Sequence, residues 1–303
     1  MKIALLIPCF NEEQTVAQVI RDFRENIPDA EIYVYDNNST DRTAEIAAEN
    51  GAIVRHEFQQ GKSNVVRSMF REIDADYYIM VDGDNTYPAS QVNVLLDEVK
   101  KKNCDMVVGD RLSNGTYLKE NKRAFHGFGN RLVKSLINYI FKADLKDIMT
   151  GYRIFSKRFV KNYPIMYQGF ELETEMTIFA LNNNLRISEV PIDFTDRPEG
   201  SVSKLNTYTD GFKVLLTIFN LFRHYKPLQF FSIFALLFFI ASLAFGIPPI
   251  IEYFKYNFVY KVPSAILASG LMLFALISFT IGLILDTISL NSRKFMQVLL
   301  QRE

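Results

Sequence analysis

The chain has 303 residues, with 34 Lys and Arg against 34 Asp and Glu, 49% apolar residues, 26 Phe, 15 Tyr, two Cys and no Trp. This composition excludes a disordered chain, and the lack of any continuously basic stretch excludes a nucleic-acid binder. The zero net charge hides a partition, because residues 1–204 hold 26 basic and 30 acidic side chains and residues 205–303 only 8 and 4; that is the pattern of a soluble domain followed by a membrane segment.

Lys2–Pro8 is too short an apolar run for a signal peptide and leads into Asn11, Glu12 and Glu13, so it reads as a buried strand. Val16, Val19, Ile20 and Phe23 then mark an amphipathic helix. Glu31–Asp36 is a second strand, after which Ser39 and Thr40 are placed to cap a helix from Asp41 to Glu49. Ala52–His56, Tyr77–Val81 and Met106–Gly109 are three further strands, with a helix lined by Val92, Leu95, Leu96 and Val99 before the last. Another helix is expected over Phe170–Asn183. The alternation predicts an α/β fold with a mainly parallel sheet and helices on both faces. Ligands of such sheets bind at the carboxyl ends of the strands. Cys9 and Cys104 form no CxxC pair and have no histidine cluster nearby, which disfavours a zinc site or disulfide scaffold and fits a reducing compartment.

Asn206–Tyr225 repeats with helical period, its narrow polar stripe running through Asn206, Asp210, Lys213, Thr217, Asn220 and His224. Such a helix packs on a soluble domain or lies among lipid headgroups, and the apolar run behind it favours the headgroups. Pro227–Ile251 and Val262–Leu285 are uncharged runs of 25 and 24 residues. Each is long enough, at ~1.5 Å per residue, to cross a hydrocarbon core of ~30 Å. The short connector Glu252–Lys261 makes them a hairpin with both ends on one side. Arg223, Lys226, Arg293 and Lys294 flank that side, while the connector offsets Lys255 and Lys261 with Glu252; this assigns the ends to the cytoplasm. The expected organisation is a cytoplasmic domain 1–204, a juxtamembrane amphipathic helix 205–226, a transmembrane hairpin 227–286 and a cytoplasmic C-terminal helix 287–303. The chain is then a multi-pass protein of the cell membrane, with an anchor small enough to leave room for a homo-oligomer.

The chemistry-bearing residues follow the strands. After the fourth comes Val81-Asp82-Gly83-Asp84-Asn85-Thr86-Tyr87-Pro88. Two carboxylates at i and i+2 put hard oxygen donors at a strand tip, which suits Mg²⁺ or Mn²⁺ carrying a diphosphate, though a solvated turn needs no metal. The first strand ends in Pro8-Cys9-Phe10-Asn11-Glu12-Glu13, the second in Asp36-Asn37-Asn38-Ser39-Thr40-Asp41, and Gly61-Lys62 follows the third. These groups can hold a base, a ribose and phosphates. Neither GxGxxG nor GxxxxGK[ST] occurs, so no Rossmann dinucleotide site or P-loop is supported.

Together these residues resemble glycosyltransferase family 2, enzymes with a GT-A fold, over most of residues 1–204. Within it the chain is most similar to the polyprenyl-phosphate glycosyltransferases. The motifs are Asp82-Gly83-Asp84, Gly109-Asp110-Arg111, Asp147-Ile148-Met149-Thr150-Gly151-Tyr152-Arg153, Glu189-Val190-Pro191-Ile192 and Arg197-Pro198-Glu199-Gly200-Ser201-Val202-Ser203-Lys204. The resemblance implies a nucleotide-sugar donor held by Pro8, Asn11, Glu12, Asp36, Lys62 and Asp82. It also implies a divalent metal at Asp82 and Asp84, and a polyprenyl phosphate acceptor such as undecaprenyl phosphate. Many relatives have Gln where this chain has Thr86, and Thr86 is not counted as a ligand.

Arg111, Arg123, Arg153, Arg197 and Lys204 lie beyond the nucleotide half, and arginine forks suit phosphate oxygens. Arg111, Arg197, Ser201 and Lys204, which lie in those motifs, and Arg123, near which a helix is expected to begin and add its positive end, are the candidates for the acceptor phosphate. A phosphate monoester has a second pKa of about 6, so it needs no general base to become a nucleophile. Catalysis then rests on Asp84 and Arg111, with single displacement inverting the anomeric carbon. Two readings stay open for Glu171, Glu173 and Glu175 at the start of their helix: structural carboxylates at its positive end, or a base, for which Glu173 is the candidate. His126 and His224 receive no role. The expected donor is UDP-linked glucose or N-acetylglucosamine, with GDP-mannose as the alternative. A processive synthase is disfavoured, because its QxxRW motif cannot exist without Trp. A nucleotide-sensing membrane protein without transfer activity is the non-enzyme alternative.

Overall fold

The computed structural model describes residues 1–115, 126–164, 172–196, 216, 219–220 and 222–300. The chain divides into two compact units, one built on residues 1–214 and a second on residues 215–297. In the first, β1 (Ile3–Cys9), α1 (Val16–Asn26), β2 (Glu31–Asp36), α2 (Thr43–Glu49), β3 (Ile53–His56), α3 (Lys62–Glu72), β4 (Tyr77–Met80), α4 (Val92–Lys102) and β5 (Met106–Asp110) alternate as expected. There follow α5 (His126–Phe141), β6 (Arg153–Ser156), α6 (Lys157–Asn162), α7 (Leu172–Asn182) and β7 (Ile187–Pro191). The helix expected to begin at Asp41 starts at Thr43. Its entry is held by Asp41, whose Oδ1 accepts from the Thr43 backbone N–H at 3.0 Å, rather than by Ser39 or Thr40.

The seven strands form one sheet in the order β3-β2-β1-β4-β6-β5-β7. β1 pairs parallel with β2 and β4, β2 with β3, and β5 with β7. β6 alone among them is antiparallel, to both β4 and β5. The sequence reading had no strand at β6, which is only four residues long and carries an arginine.

Alternation along the strands divides the core. Leu5, Ile7, Ile32, Val34, Ile79, Val81, Val107 and Ile154 meet Val16, Val19, Ile20 and Phe23 of α1 and Val92, Leu95, Leu96 and Val99 of α4 on one face. The other face is aromatic. Phe155 stacks on Phe159 at 4.7 Å between centroids, and Phe70 packs edge-on against Tyr78 and Phe155; such pairs add about 0.5–1.5 kcal/mol each beyond their buried area. Arg153 lies on this second face, fully buried. Its Nε donates to Thr150 O at 3.0 Å, Nη1 to Thr177 Oγ1 at 2.9 Å and Nη2 to Ile148 O at 2.5 Å. It is a structural brace, not one of the phosphate-facing arginines.

In the second unit, α8 (Pro227–Tyr256) and α9 (Val262–Leu300) are both long and apolar enough to cross a membrane. Leu236, Leu237, Ile240, Leu273, Phe274 and Leu276 each expose more than half of their surface, as side chains that face lipid would. Ser242 Oγ donates to Ala268 O at 2.8 Å and Ser264 Oγ to Phe245 O at 2.7 Å. A Cβ on Gly246 would lie 3.2 Å from that of Ala268, the close approach that small residues permit between apolar helices. The separate C-terminal helix expected over 287–303 is instead the continuation of α9, because no Gly or Pro interrupts residues 283–300. Most of the amphipathic helix 206–225 lies outside the described residues.

Replacing Arg153 with Ala should destabilise the sheet unit by about 3–5 kcal/mol, since it leaves a cavity and strands two carbonyls. The fall in melting temperature of the detergent-solubilised chain measures this, and an unchanged melting temperature would contradict the bracing role.

Candidate active site

Because β1 to β4 run in parallel, the loops that follow them gather at one edge of the sheet. The loops after β1 and β2 are fastened together. The Asn11 backbone N–H donates to Ser39 Oγ at 2.9 Å, Asn11 Oδ1 accepts from Thr40 N–H at 2.8 Å, and the Glu12 N–H donates to Thr43 Oγ1 at 2.8 Å. Asn11 itself is in the left-handed region, with φ 54°, where asparagine is the side chain best tolerated. At the tip of β2, Asp36 is buried. Its Oδ2 accepts from Ser39 N–H at 3.2 Å and lies 3.5 Å from His56 Nδ1, while its Oδ1 has no hydrogen-bond partner among the described residues. A buried carboxylate oxygen left so is costly, and it is suited to accept from a ligand N–H or hydroxyl. Pro8 pairs with Tyr35 at the same edge.

Asn37, which the sequence reading did not select, organises the approach to Lys62. Its Nδ2 donates to Glu57 O and Gln59 O at 2.8 and 2.9 Å, and its Oδ1 accepts from Gly61 N–H at 2.7 Å. Gly61 has φ 127° and precedes α3. Lys62, the first residue of that helix, places Nζ 2.5 Å from Asp82 Oδ1 and 2.7 Å from Glu173 Oε1. Burial lowers an ammonium pKa, but the charges of Asp82 and Glu173 outweigh it and hold Lys62 above its ordinary value.

The loop after β4 is shaped by close packing. A Cβ on Gly83 would lie 2.7 Å from Cys9 Sγ, and one on Gly151 would lie 2.4 Å from Asp82 Oδ2; a larger residue at either position would displace the side chain it meets. Asp84 is buried, and its Oδ1 accepts from Thr86 Oγ1 at 2.7 Å. Thr86 thus orients Asp84. Tyr87 OH accepts from Gly151 N–H at 2.9 Å, and burial pushes the phenol up to about 12. Among the described residues no three carboxylate, imidazole or thiol groups converge as a metal cluster. Two carboxylates suit an ion such as Mg²⁺ that completes its shell with water and phosphate oxygens, and the donor set fits that kind of ion.

The reversed β6 explains how a distant motif joins this edge. Met80 pairs with Arg153, so the residues entering β6 lie beside those leaving β4, and Gly151 meets Asp82. In the same segment Asp147 binds Arg111. Arg111 Nε reaches Asp147 Oδ2 at 2.7 Å and Nη2 reaches Oδ1 at 3.0 Å, with the Arg111 backbone N–H on Oδ2 at 3.2 Å. Burial raises the Asp147 pKa, yet the Arg111 charge and hydrogen bonds outweigh it and hold it below the ordinary carboxylate value. Glu189 accepts from the backbone N–H groups of Lys146 and Asp147 at 2.8 and 3.0 Å. Arg111 is therefore buried with its fork closed on Asp147. Glu173 and Glu175 are buried in the first turn of α7. Glu171, Arg123, Arg197, Ser201 and Lys204 lie outside the described residues.

Comparison with known proteins follows the geometry. The sequence profile described as Glycosyl transferase family 2 matches residues 4–163. Glycosyltransferase AglJ of Haloferax volcanii is 32% identical over 76% of this chain and 75% of its own length. The dolichyl-phosphate hexose transferase of the same organism is 28% identical over 69% of this chain and 89% of its own. The glucosyl-3-phosphoglycerate synthase of Mycobacterium tuberculosis, solved with Mn²⁺, UDP-glucose and phosphoglyceric acid, superposes with a TM-score of 0.57 at 17% identity, covering 73% of this chain and 79% of that one. The sheet unit thus has the GT-A fold.

The depressed pKa of Asp147 fixes the sign of a pH effect. The Arg111–Asp147 contribution is present above the unfolded carboxylate value of about 3.9 and is lost as pH falls through the lower folded value. Arg111→Met should cost about 3–5 kcal/mol at pH 7, and the gap to the parent should shrink near pH 3. Thermal unfolding at the two pH values measures both.

Proposed function

The chain belongs to glycosyltransferase family 2, and on that premise we propose that it transfers a hexosyl unit from a nucleotide sugar to a polyprenyl phosphate at the cytoplasmic face of the cell membrane. The observation that carries this reading is the set of groups at one sheet edge: the Asp36 oxygen that has no partner among the described residues, Lys62, and the Asp82 and Asp84 carboxylates. Two helices able to cross a membrane follow in the same chain, and a relative named for dolichyl phosphate supports the lipid acceptor. UDP-linked glucose or N-acetylglucosamine is the preferred donor, in keeping with the UDP-glucose of the Mycobacterium tuberculosis structure. Undecaprenyl phosphate or a related lipid is the preferred acceptor.

In this reading Asp36 accepts a hydrogen bond from the base or ribose, with Pro8, Asn11 and Glu12 forming the wall beside it. Asp82 and Asp84 hold Mg²⁺ or Mn²⁺, which when bound supplies charge neutralisation for the departing nucleoside diphosphate. Lys62 adds a cation on the same side. Arg123, Arg197, Ser201 and Lys204 receive the acceptor phosphate, and Arg111, tied to Asp147, positions the loop that follows β5. The acceptor phosphate is largely a dianion near pH 7, given its second pKa of about 6, and attacks in line with inversion. Glu173 is already bonded to the Lys62 ammonium, which weakens it as a base, so the reading assigns it a supporting role.

Membranes containing the chain, supplied with Mn²⁺, should transfer labelled sugar from UDP-glucose or UDP-N-acetylglucosamine, or failing these GDP-mannose, to undecaprenyl phosphate. Asp84→Ala should abolish transfer in a folded protein. No lipid product from any of these donors would refute the proposal. Glu173→Gln should keep kcat within about tenfold and leave the pH–rate profile unaltered, whereas a general base contributes 10²–10⁴-fold; a loss of the basic limb would restore Glu173 as the base.

A further inference from the structure

Asp82 is held from two sides. Its Oδ1 takes the Lys62 ammonium at 2.5 Å, and its Oδ2 lies over Gly151, where even a methyl group would come within 2.4 Å. Lys62 in turn is shared, its second partner being Glu173 Oε1 at 2.7 Å. These three side chains come from three separate elements. Lys62 opens α3 behind a loop that Asn37 pins through Glu57, Gln59 and Gly61. Glu173 sits in the first turn of α7, with its side chain only 6% exposed. Asp82 follows β4. The ammonium is thus delivered to one carboxylate oxygen by a braced helix start and kept there by a buried partner. An exposed surface pair contributes little because water competes for both ions; here Lys62 and Asp82 are 22% and 28% exposed.

We propose that Lys62 is a built-in counter-cation that makes divalent-metal binding conditional on the donor, with Glu173 as the positioning residue that parks it against Asp82. This rests on the reading of Asp82 and Asp84 as the metal-holding pair. Without donor, the ammonium neutralises Asp82 and repels a dication from the neighbouring space. Two carboxylates, one of them already paired with an ammonium, make a poor site on their own. A nucleoside diphosphate changes the balance, because its oxygens offer anionic partners to the ammonium and the metal together. Metal and donor then bind as a unit, and the carboxylates do not collect metal ions between turnovers. The residue type matters: a neutral side chain at position 62 would leave Asp82 and Glu173 without the cation they share.

The test reads metal binding rather than catalysis. Full-length chain in detergent is titrated with Mn²⁺, with and without UDP (or GDP where UDP gives no binding), and free Mn²⁺ is read by electron paramagnetic resonance. The parent should bind Mn²⁺ weakly alone and more tightly with nucleotide. Lys62→Met and Lys62→Gln should each bind Mn²⁺ alone about tenfold or more tightly than the parent, and adding Asp84→Ala should remove the gain. Lys62→Arg, which keeps the charge, should behave as the parent. Circular dichroism selects the variants that fold, and the two neutral replacements give independent chances of one. If the parent binds Mn²⁺ with nucleotide but neither neutral variant gains nucleotide-free affinity, the counter-cation role is overturned while the metal reading stands. If no nucleotide brings Mn²⁺ to the parent, the metal reading fails and this inference with it.

Discussion

Strand β6 runs against both of its neighbours, and the site depends on that reversal. In a wholly parallel sheet the segment entering a strand lies at the edge opposite the ligand-binding loops. With β6 inverted, residues 147–152 enter beside the residues that leave β4. Gly151 can then lie against Asp82, its N–H can meet Tyr87, and Asp147 can close on Arg111. One change of direction brings a motif some 65 positions away in the chain into contact with the Asp82–Asp84 loop.

The cost of this arrangement is buried charge, and each charge is compensated differently. Arg153 has no carboxylate partner among the described residues and is satisfied by carbonyls, a hydroxyl and the Met106 sulfur. Arg111 is paired bidentately with Asp147, which Glu189 orients through the backbone. Lys62 is shared between two carboxylates. Removing one member of such a set exposes the desolvation cost of the rest, so these residues brace the site even where they touch no substrate. Asp36 is the contrasting case, since one of its oxygens is buried with no hydrogen-bond partner among the described residues. A structural carboxylate has little reason to remain so, and a ligand-binding one does.

The first five strands and helices α1, α2 and α4 between them were legible because each buries an apolar face of regular period, whereas α3 was not read from the sequence. Asp82, Asp84, Asp36 and Lys62 were legible because they follow those strands. Less legible were residues whose importance is a matter of what lies across from them. Gly151 stands in a recognisable motif, yet nothing in its neighbours along the chain says that a carboxylate oxygen occupies the space of its missing side chain. Asn37 looks like any turn asparagine until the loop 57–61 is folded over it. Arg111 and Arg153 stand among the same arginines of the second half in the sequence, and the fold buries both, one paired with Asp147 and one braced by carbonyls.

The partition of charge behind the zero total was visible from the order of residues, as were the two long uncharged runs, the parallel half of the sheet and the chemistry at its strand tips. All of these depend on composition and on short-range period, which a linear chain carries in full. The direction of β6, the sharing of Lys62 between Asp82 and Glu173, and the inward turn of Arg111 came only with the fold. They depend on pairings between residues 20 to 111 positions apart, and the energy that selects those pairings arises only when water is excluded from both partners at once.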